Sequence, residues 1–400
     1  MKKFLTLIAG AALITACSNE ADVERGYVPS TDKIVFAVAA DDMTRAKGEI
    51  TSTPDLGLVL KDGNTKVDFG VFGCYTGALK YENTTVKPDF MYNQCVTFGD
   101  NGWDYAPTKY WPNEEEDYVS FFAYAPYEPN PGESKAIIDM SRPTDYGDPW
   151  INFRLPDYPW GNGLPINDYA YVAPNQVDLL YGVKTIGGEG HSDELFTDQK
   201  RPKLSDSEQS QKMKFNFRHA LACFGDKITI KMSQALATRL QGYADVTITK
   251  ITISYENLAA KARLVLNSPS GPNWKEIISG ELTTTRTYER ALDNVSFLMN
   301  ATDNTTAKTI SEGDGLFYIP FRISGTEEPQ AVITIDYTVK NNANSTYTGT
   351  ATNTCPLSLI TEGKKQALEL TLGEDFDLQH LVYDLTNETA TGPSYSREAK

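Results

Sequence analysis

The side chains with the most obvious chemistry are five cysteines, three histidines and one acidic run. Cys17 closes Leu13-Ile14-Thr15-Ala16-Cys17, where small residues lead into a thiol. A cysteine so placed can be acylated and become the new N-terminus after cleavage. Cys74, Cys95, Cys223 and Cys355 form no CxxC pair, and His191, His219 and His380 are scattered, so no metal site is expected. In an oxidising compartment those four thiols allow three disulfide pairings; buried free thiols acting as small hydrophobes are the alternative. Glu114-Glu115-Glu116-Asp117 lacks the alternating ligands and glycine turn of a calcium loop, and reads as a solvated loop. His219 lies among Phe215, Phe217 and Leu221 and reads as a core or interface histidine. No Gly-x-Ser-x-Gly, His-Glu-x-x-His or phosphate loop occurs, so neither an enzyme nor a cofactor is expected. Arg45 sits in the polar stretch Asp41-Asp42-Met43-Thr44-Arg45-Ala46-Lys47-Gly48, a surface loop that a protease can reach. A cut there, between Arg45 and Ala46, would detach everything before it. Arg25 is a second exposed arginine, whose cleavage would release less.

The segments around these residues carry their own signals. Met1-Lys2-Lys3 and the apolar run Phe4 to Ile14 form a signal-peptide pattern too short to span a bilayer. Its end at Cys17 resembles a bacterial lipobox, which implies a lipoprotein precursor with acyl chains, palmitate among them, held at the outer membrane. One chain anchors weakly, whereas the several that a bacterial lipoprotein carries anchor stably. Residues 18 to 32 are polar and acidic, as a tether should be. Lys33 to Ala40 is then an apolar strand, with Ile34, Phe36 and Val38 on one face and Val35 and Ala37 on the other. Such a strand belongs inside a sandwich rather than at a free edge. Burying Ile34, Phe36 and Val38 contributes roughly 5–9 kcal/mol before entropy.

The rest of the chain is dominated by period-two alternation. Asp245 to Tyr255 is the clearest half-buried strand, and Val67 to Tyr75, Tyr118 to Tyr127, Phe215 to Cys223, Leu316 to Phe321, Ala331 to Lys340 and Gln366 to Leu372 continue it. Ser233 to Leu240 is the best short helix. Residues 186 to 212 are polar and read as a mobile excursion. The 400 residues exceed what one core usually serves. This predicts an all-β chain with Greek-key sandwich domains, long loops and few short helices. The segments are a signal over 1–17, tether and first strand over 18–45, domains over 46–241 and 242–373, and a tail over 374–400. A net charge of −16 with no basic block argues against nucleic acid. The acidic surface suits a soluble, self-repelling extracellular protein.

In order and spacing these segments resemble the fimbrillin (type V pilin) family of Bacteroidales bacteria. The matches are the lipobox, Phe36 in its strand, Thr44-Arg45-Ala46, Phe69-Gly70-Val71-Phe72-Gly73 and Tyr110-Trp111-Pro112. They continue through Val119 to Pro126, Asp178-Leu179-Leu180, Phe215 to Leu221 and Leu359 to Lys365. The resemblance implies two transthyretin-like β-sandwich domains and a lipoprotein precursor. It further implies that an arginine-specific protease removes the lipidated segment with its first strand. The groove left behind would accept a strand from another fimbrial subunit. For the donor, the tail offers Leu381, Tyr383 and Leu385, alternating with Val382 and Asp384. A different reading is a non-polymerising surface lipoprotein, a tip adhesin or glycan-binding module using the aromatics from Trp103 to Trp160.

Overall fold

The structure, a computed structural model, describes residues 26–38, 68–99, 102–133, 138–155, 178–186, 192–203, 212–276, 283–312, 315–357, 365–384 and 395–396. Its first half holds β1 (Pro29–Lys33), β2 (Val35–Val38), β3 (Phe69–Gly77), β4 (Met91–Gly99), β5 (Gly102–Asp104) and β6 (Tyr110–Pro112). There follow β7 (Tyr118–Ala125), β8 (Ile138–Met140), β9 (Trp150–Arg154), β10 (Leu180–Ile186), β11 (Ser192–Glu194), β12 (Phe196–Gln199) and β13 (Lys212–His219). The second half begins with β14 (Ala222–Met232), β15 (Ala244–Ala259), β16 (Lys261–Val265), β17 (Asn273–Lys275), β18 (Thr283–Phe297) and β19 (Lys308–Glu312). It ends with β20 (Leu316–Tyr318), β21 (Gln330–Asn341), β22 (Thr346–Pro356), β23 (Lys365–Leu372), β24 (Leu378–Asp384) and β25 (Tyr395–Ser396). The chain is all-β, as its alternation implies. Among the described residues a short α-helix, Gln234–Leu240, starts where expected because the Ser233 hydroxyl accepts the Leu236 amide at 3.1 Å.

A nine-stranded sheet runs β2-β13-β10-β7-β3-β4-β5, with β11 joined to β10 and β12 to β7. Its central strands are buried on both faces, which explains the unbroken apolar run of β7. Phe122 and Tyr124 pack into one core with Phe72, Ile151, Phe153, Leu264 and Trp274. Phe121, Ala123 and Ala125 pack into another with Phe69, Val71, Phe215, Ile34 and Phe36. The first of these cores is shared with the four-stranded sheet β17-β16-β9-β8. A third core joins the six-stranded sheet built on β14, β23 and β24 to the sheet β18-β15-β21-β22, through residues such as Ile230, Leu370, Ile251 and Ile333.

Two expectations need correction. Residues 186–212 are not all a loose excursion: β12 pairs with β7, and Phe196 is buried against Phe215 at a ring separation of 4.8 Å. The tether is not wholly free either, since β1 pairs antiparallel with β6 from Pro29↔Pro112 to Lys33↔Tyr110. Of the apolar stretch Lys33 to Ala40, Lys33 closes β1, Ile34 lies between the strands and Val35–Val38 form β2. Beyond Gln241-Gly242, β16 pairs with β9 of the first half, Leu264 opposite Ile151, and β17 pairs with β16.

Candidate assembly site

β2 is an edge strand of the nine-stranded sheet and pairs parallel with β13, Val35 opposite Lys212 and Val38 opposite Phe215. On its other side it approaches β5, so it fills the gap between the two ends of the sheet. Period two sends Ile34 and Phe36 inward, and both are buried. The Phe36 ring lies 5.3 Å from Tyr105, 5.4 Å from Phe121 and 6.1 Å from Phe215, an aromatic socket that one side chain completes. Val35, Ala37 and Val38 are half-buried. The two buried side chains contribute roughly 3–6 kcal/mol, less than the three expected because Val38 reaches only the rim. Gly182 on β10 makes room for the socket wall: a Cβ there would lie 2.8 Å from the Phe215 ring.

Polar contacts hold the strand's entry. The Ile34 amide donates to the Lys109 carbonyl at 3.0 Å, and the buried Tyr105 hydroxyl donates to the Ile34 carbonyl at 2.8 Å. Burial pushes the Tyr105 phenol well above its ordinary range, which keeps it a neutral donor. Lys33 pairs with Asp104 at 2.6 Å on the surface, and that hydrogen bond holds the Asp104 carboxyl below its ordinary value. Upstream, the Tyr27 hydroxyl donates to the Tyr110 carbonyl at 2.7 Å while its ring packs on Tyr75 and Phe90. Sequence reading missed Tyr27, Tyr105 and Lys109. Their role comes from contacts across about seventy residues or more, which no local pattern encodes.

The other expected residues fall in different places. Cys17, Arg45, Ala46 and Leu385 lie outside the described residues. Leu381 and Tyr383 are half-buried in β24, which pairs antiparallel with β23 from Gln366↔Asp384 to Leu372↔Leu378. The candidate donor thus sits between β23 and β25 of its own sheet, Leu381 lying opposite Ser396 on the β25 side. His219 meets a carboxylate: its Nδ1 lies 2.8 Å from Asp178, with both side chains largely buried. In the acidic run, Glu116 pairs with Lys200 at 2.7 Å and Asp117 accepts from the Tyr75 hydroxyl at 2.5 Å. Cys74, Cys95, Cys223 and Cys355 are free thiols. Burial, with Asp68 nearby, pushes the Cys95 thiol up to about 11. Among the described residues no cluster of His, Cys, Asp and Glu could hold a metal.

The geometry is that of an all-β chain whose N-terminal strand β2 fills an aromatic socket between β13 and β5. No protein-family model matches the chain. It is 24% identical over 393 residues, 92% of each chain, to the fimbrium subunit Fim1C of Phocaeicola vulgatus. The crystal structure of a fimbrial protein from Bacteroides vulgatus superposes with a TM-score of 0.60 at 19% identity, over 88% of this chain and 99% of that one. The resemblance to fimbrial proteins of Bacteroidales is borne out by these relatives, and the solved structure shares the fold.

Proposed function

We propose that this chain is a structural subunit of a cell-surface fimbria, made as an outer-membrane lipoprotein precursor acylated on Cys17 and acting in adhesion. It has no enzymatic role. An arginine-specific protease cuts between Arg45 and Ala46, and the lipid leaves together with Ile34, Phe36 and Val38. The groove between β13 and β5 then takes a strand from another subunit, by main-chain hydrogen bonding and side-chain pockets. The observation that carries this reading is β2 itself, a short edge strand whose Phe36 is enclosed by residues of β7, β13 and the Tyr105 segment. The two halves, divided near Gln241-Gly242, are the sandwich domains in this scheme.

One feature favours the tip adhesin over a shaft subunit. Leu381 and Tyr383 already pair in cis with Glu369 and Ala367, so a donor built from them must first leave β23. The test is limited digestion of the intact precursor with an arginine-specific protease, read by mass spectrometry and non-denaturing electrophoresis. An early single cut after Arg45 followed by a ladder of oligomers is expected for a shaft subunit. A clean cut with a monomeric product assigns the tip, and resistance at Arg45 overturns the activation scheme.

A further inference from the structure

The outward face of the sheet β17-β16-β9-β8 carries an arrangement that sheet stability disfavours. Arg154 stands directly opposite Lys261, and Arg263 directly opposite Lys275, in antiparallel register. Like charges directly opposite one another are destabilising. Two such pairs share one small patch of a chain whose net charge is −16. Across these four strands the charged residues are those four cations and one carboxylate, Asp139. Among the described residues Lys261, Arg263 and Lys275 have no ion-pair partner. Lys275 is exposed, whereas Lys261, Arg263 and Arg154 are half-exposed.

Aromatic and amide groups lie within the same patch. The Arg263 guanidinium stacks 3.7 Å from the centre of the Trp150 ring, and its Nε donates to the Asn152 side-chain oxygen at 3.0 Å. These contacts hold the arginine flat against the sheet rather than letting it swing into water. Alternate residues on a strand lie about 7 Å apart and neighbouring strands about 5 Å apart, so the cations form a shallow grid with a tryptophan at one end. Such a grid is open along its length. It suits an extended chain with spaced negative charges better than a compact anion, which a concave site would enclose.

We propose that this face binds an anionic polysaccharide, a glycan chain bearing sulfate or carboxylate groups. The cations meet its charges and Trp150 borders its sugar rings, while the buried Asn152 holds Arg263 in place beneath them. Nucleic acid is disfavoured by its charge density: a duplex approaches along many phosphates and would meet the acidic remainder of the surface. A glycan with sparser charge can engage the patch alone, because at physiological salt fields fade over about 8 Å. The site is independent of strand exchange and would operate in the precursor and in an assembled fimbria alike.

The test titrates the intact precursor with heparin oligosaccharides and polygalacturonate, with dextran as the neutral control and a DNA duplex as the polyanion control. Binding of one or both acidic glycans, with none to dextran, is expected. The double variant Lys261→Gln/Lys275→Gln should weaken that binding at least tenfold. It should also melt no lower than the parent without ligand, because it relieves both like-charge pairs. Undiminished glycan binding by the variant, equal binding of the duplex, or no binding of either acidic glycan overturns the proposal. So does salt-sensitive self-association that the variant abolishes, which would assign the patch to the acidic surface of a second copy.

Discussion

Phe36 concentrates the energetics of the first strand in one side chain. It is buried against three rings, whereas Val38, two residues on, is half-exposed. In the intact precursor Phe36→Ala should cost about 3–5 kcal/mol of stability. After cleavage between Arg45 and Ala46 the same substitution should cost nothing, since the strand has gone. Denaturant titration of both forms makes the comparison. An equal loss in the two would show that β2 stays bound after the cut. The alternation that placed Ile34 and Phe36 inward was legible in the sequence, because period two is local. Tyr105 was not legible, because its hydroxyl meets the Ile34 carbonyl only once β5 and β2 have been brought together.

At the scale of elements, long strands with strict alternation were readable: expected over Asp245 to Tyr255, β15 extends to Ala259, and β21 agrees within a residue at each end. What could not be read is pairing. β2 with β13 and β14 with β23 are parallel ladders between distant segments, and β8 and β17 are three-residue strands too short to show a period. The cationic face was hidden for the same reason: Arg154, Lys261, Arg263 and Lys275 form no run in sequence and become neighbours only through that pairing.

β24 shows what such pairing means for experiment. Leu378 is buried, and its carbonyl accepts from the buried Asn353 side chain. Truncation after Leu372 should therefore destabilise the second half by about 1.5–3 kcal/mol from Leu378 alone. Truncation after Asp384 keeps the whole β23–β24 ladder and should stay within about 0.5 kcal/mol of the parent. Urea titrations of the two shortened chains separate these outcomes, and equal stability would mean that β24 is dispensable to its sheet.

At the scale of the molecule, the net charge of −16 opposes bringing copies together. If cleaved subunits assemble through the apolar groove, raising ionic strength from about 0.01 to about 0.15 M should speed assembly, as the screening length falls from about 30 to about 8 Å. Light scattering during protease activation gives the rate. A rate that falls with salt would instead place opposite charges at the growing contact.

The excursion of β16 and β17 into the first half sets the order in which the molecule can become itself. Domains generally fold as they emerge from synthesis, the N-terminal one first. Here the core that holds Phe72, Phe122 and Phe153 also needs Ala262, Leu264 and Trp274. Ile319 and Ile323 belong to the same core, so the first half must wait, incomplete, until Ile323 has been made. A nascent chain stalled at residue 241 should be open to proteolysis rather than half-finished and stable. The core of the first half thus closes only with strands supplied by the second.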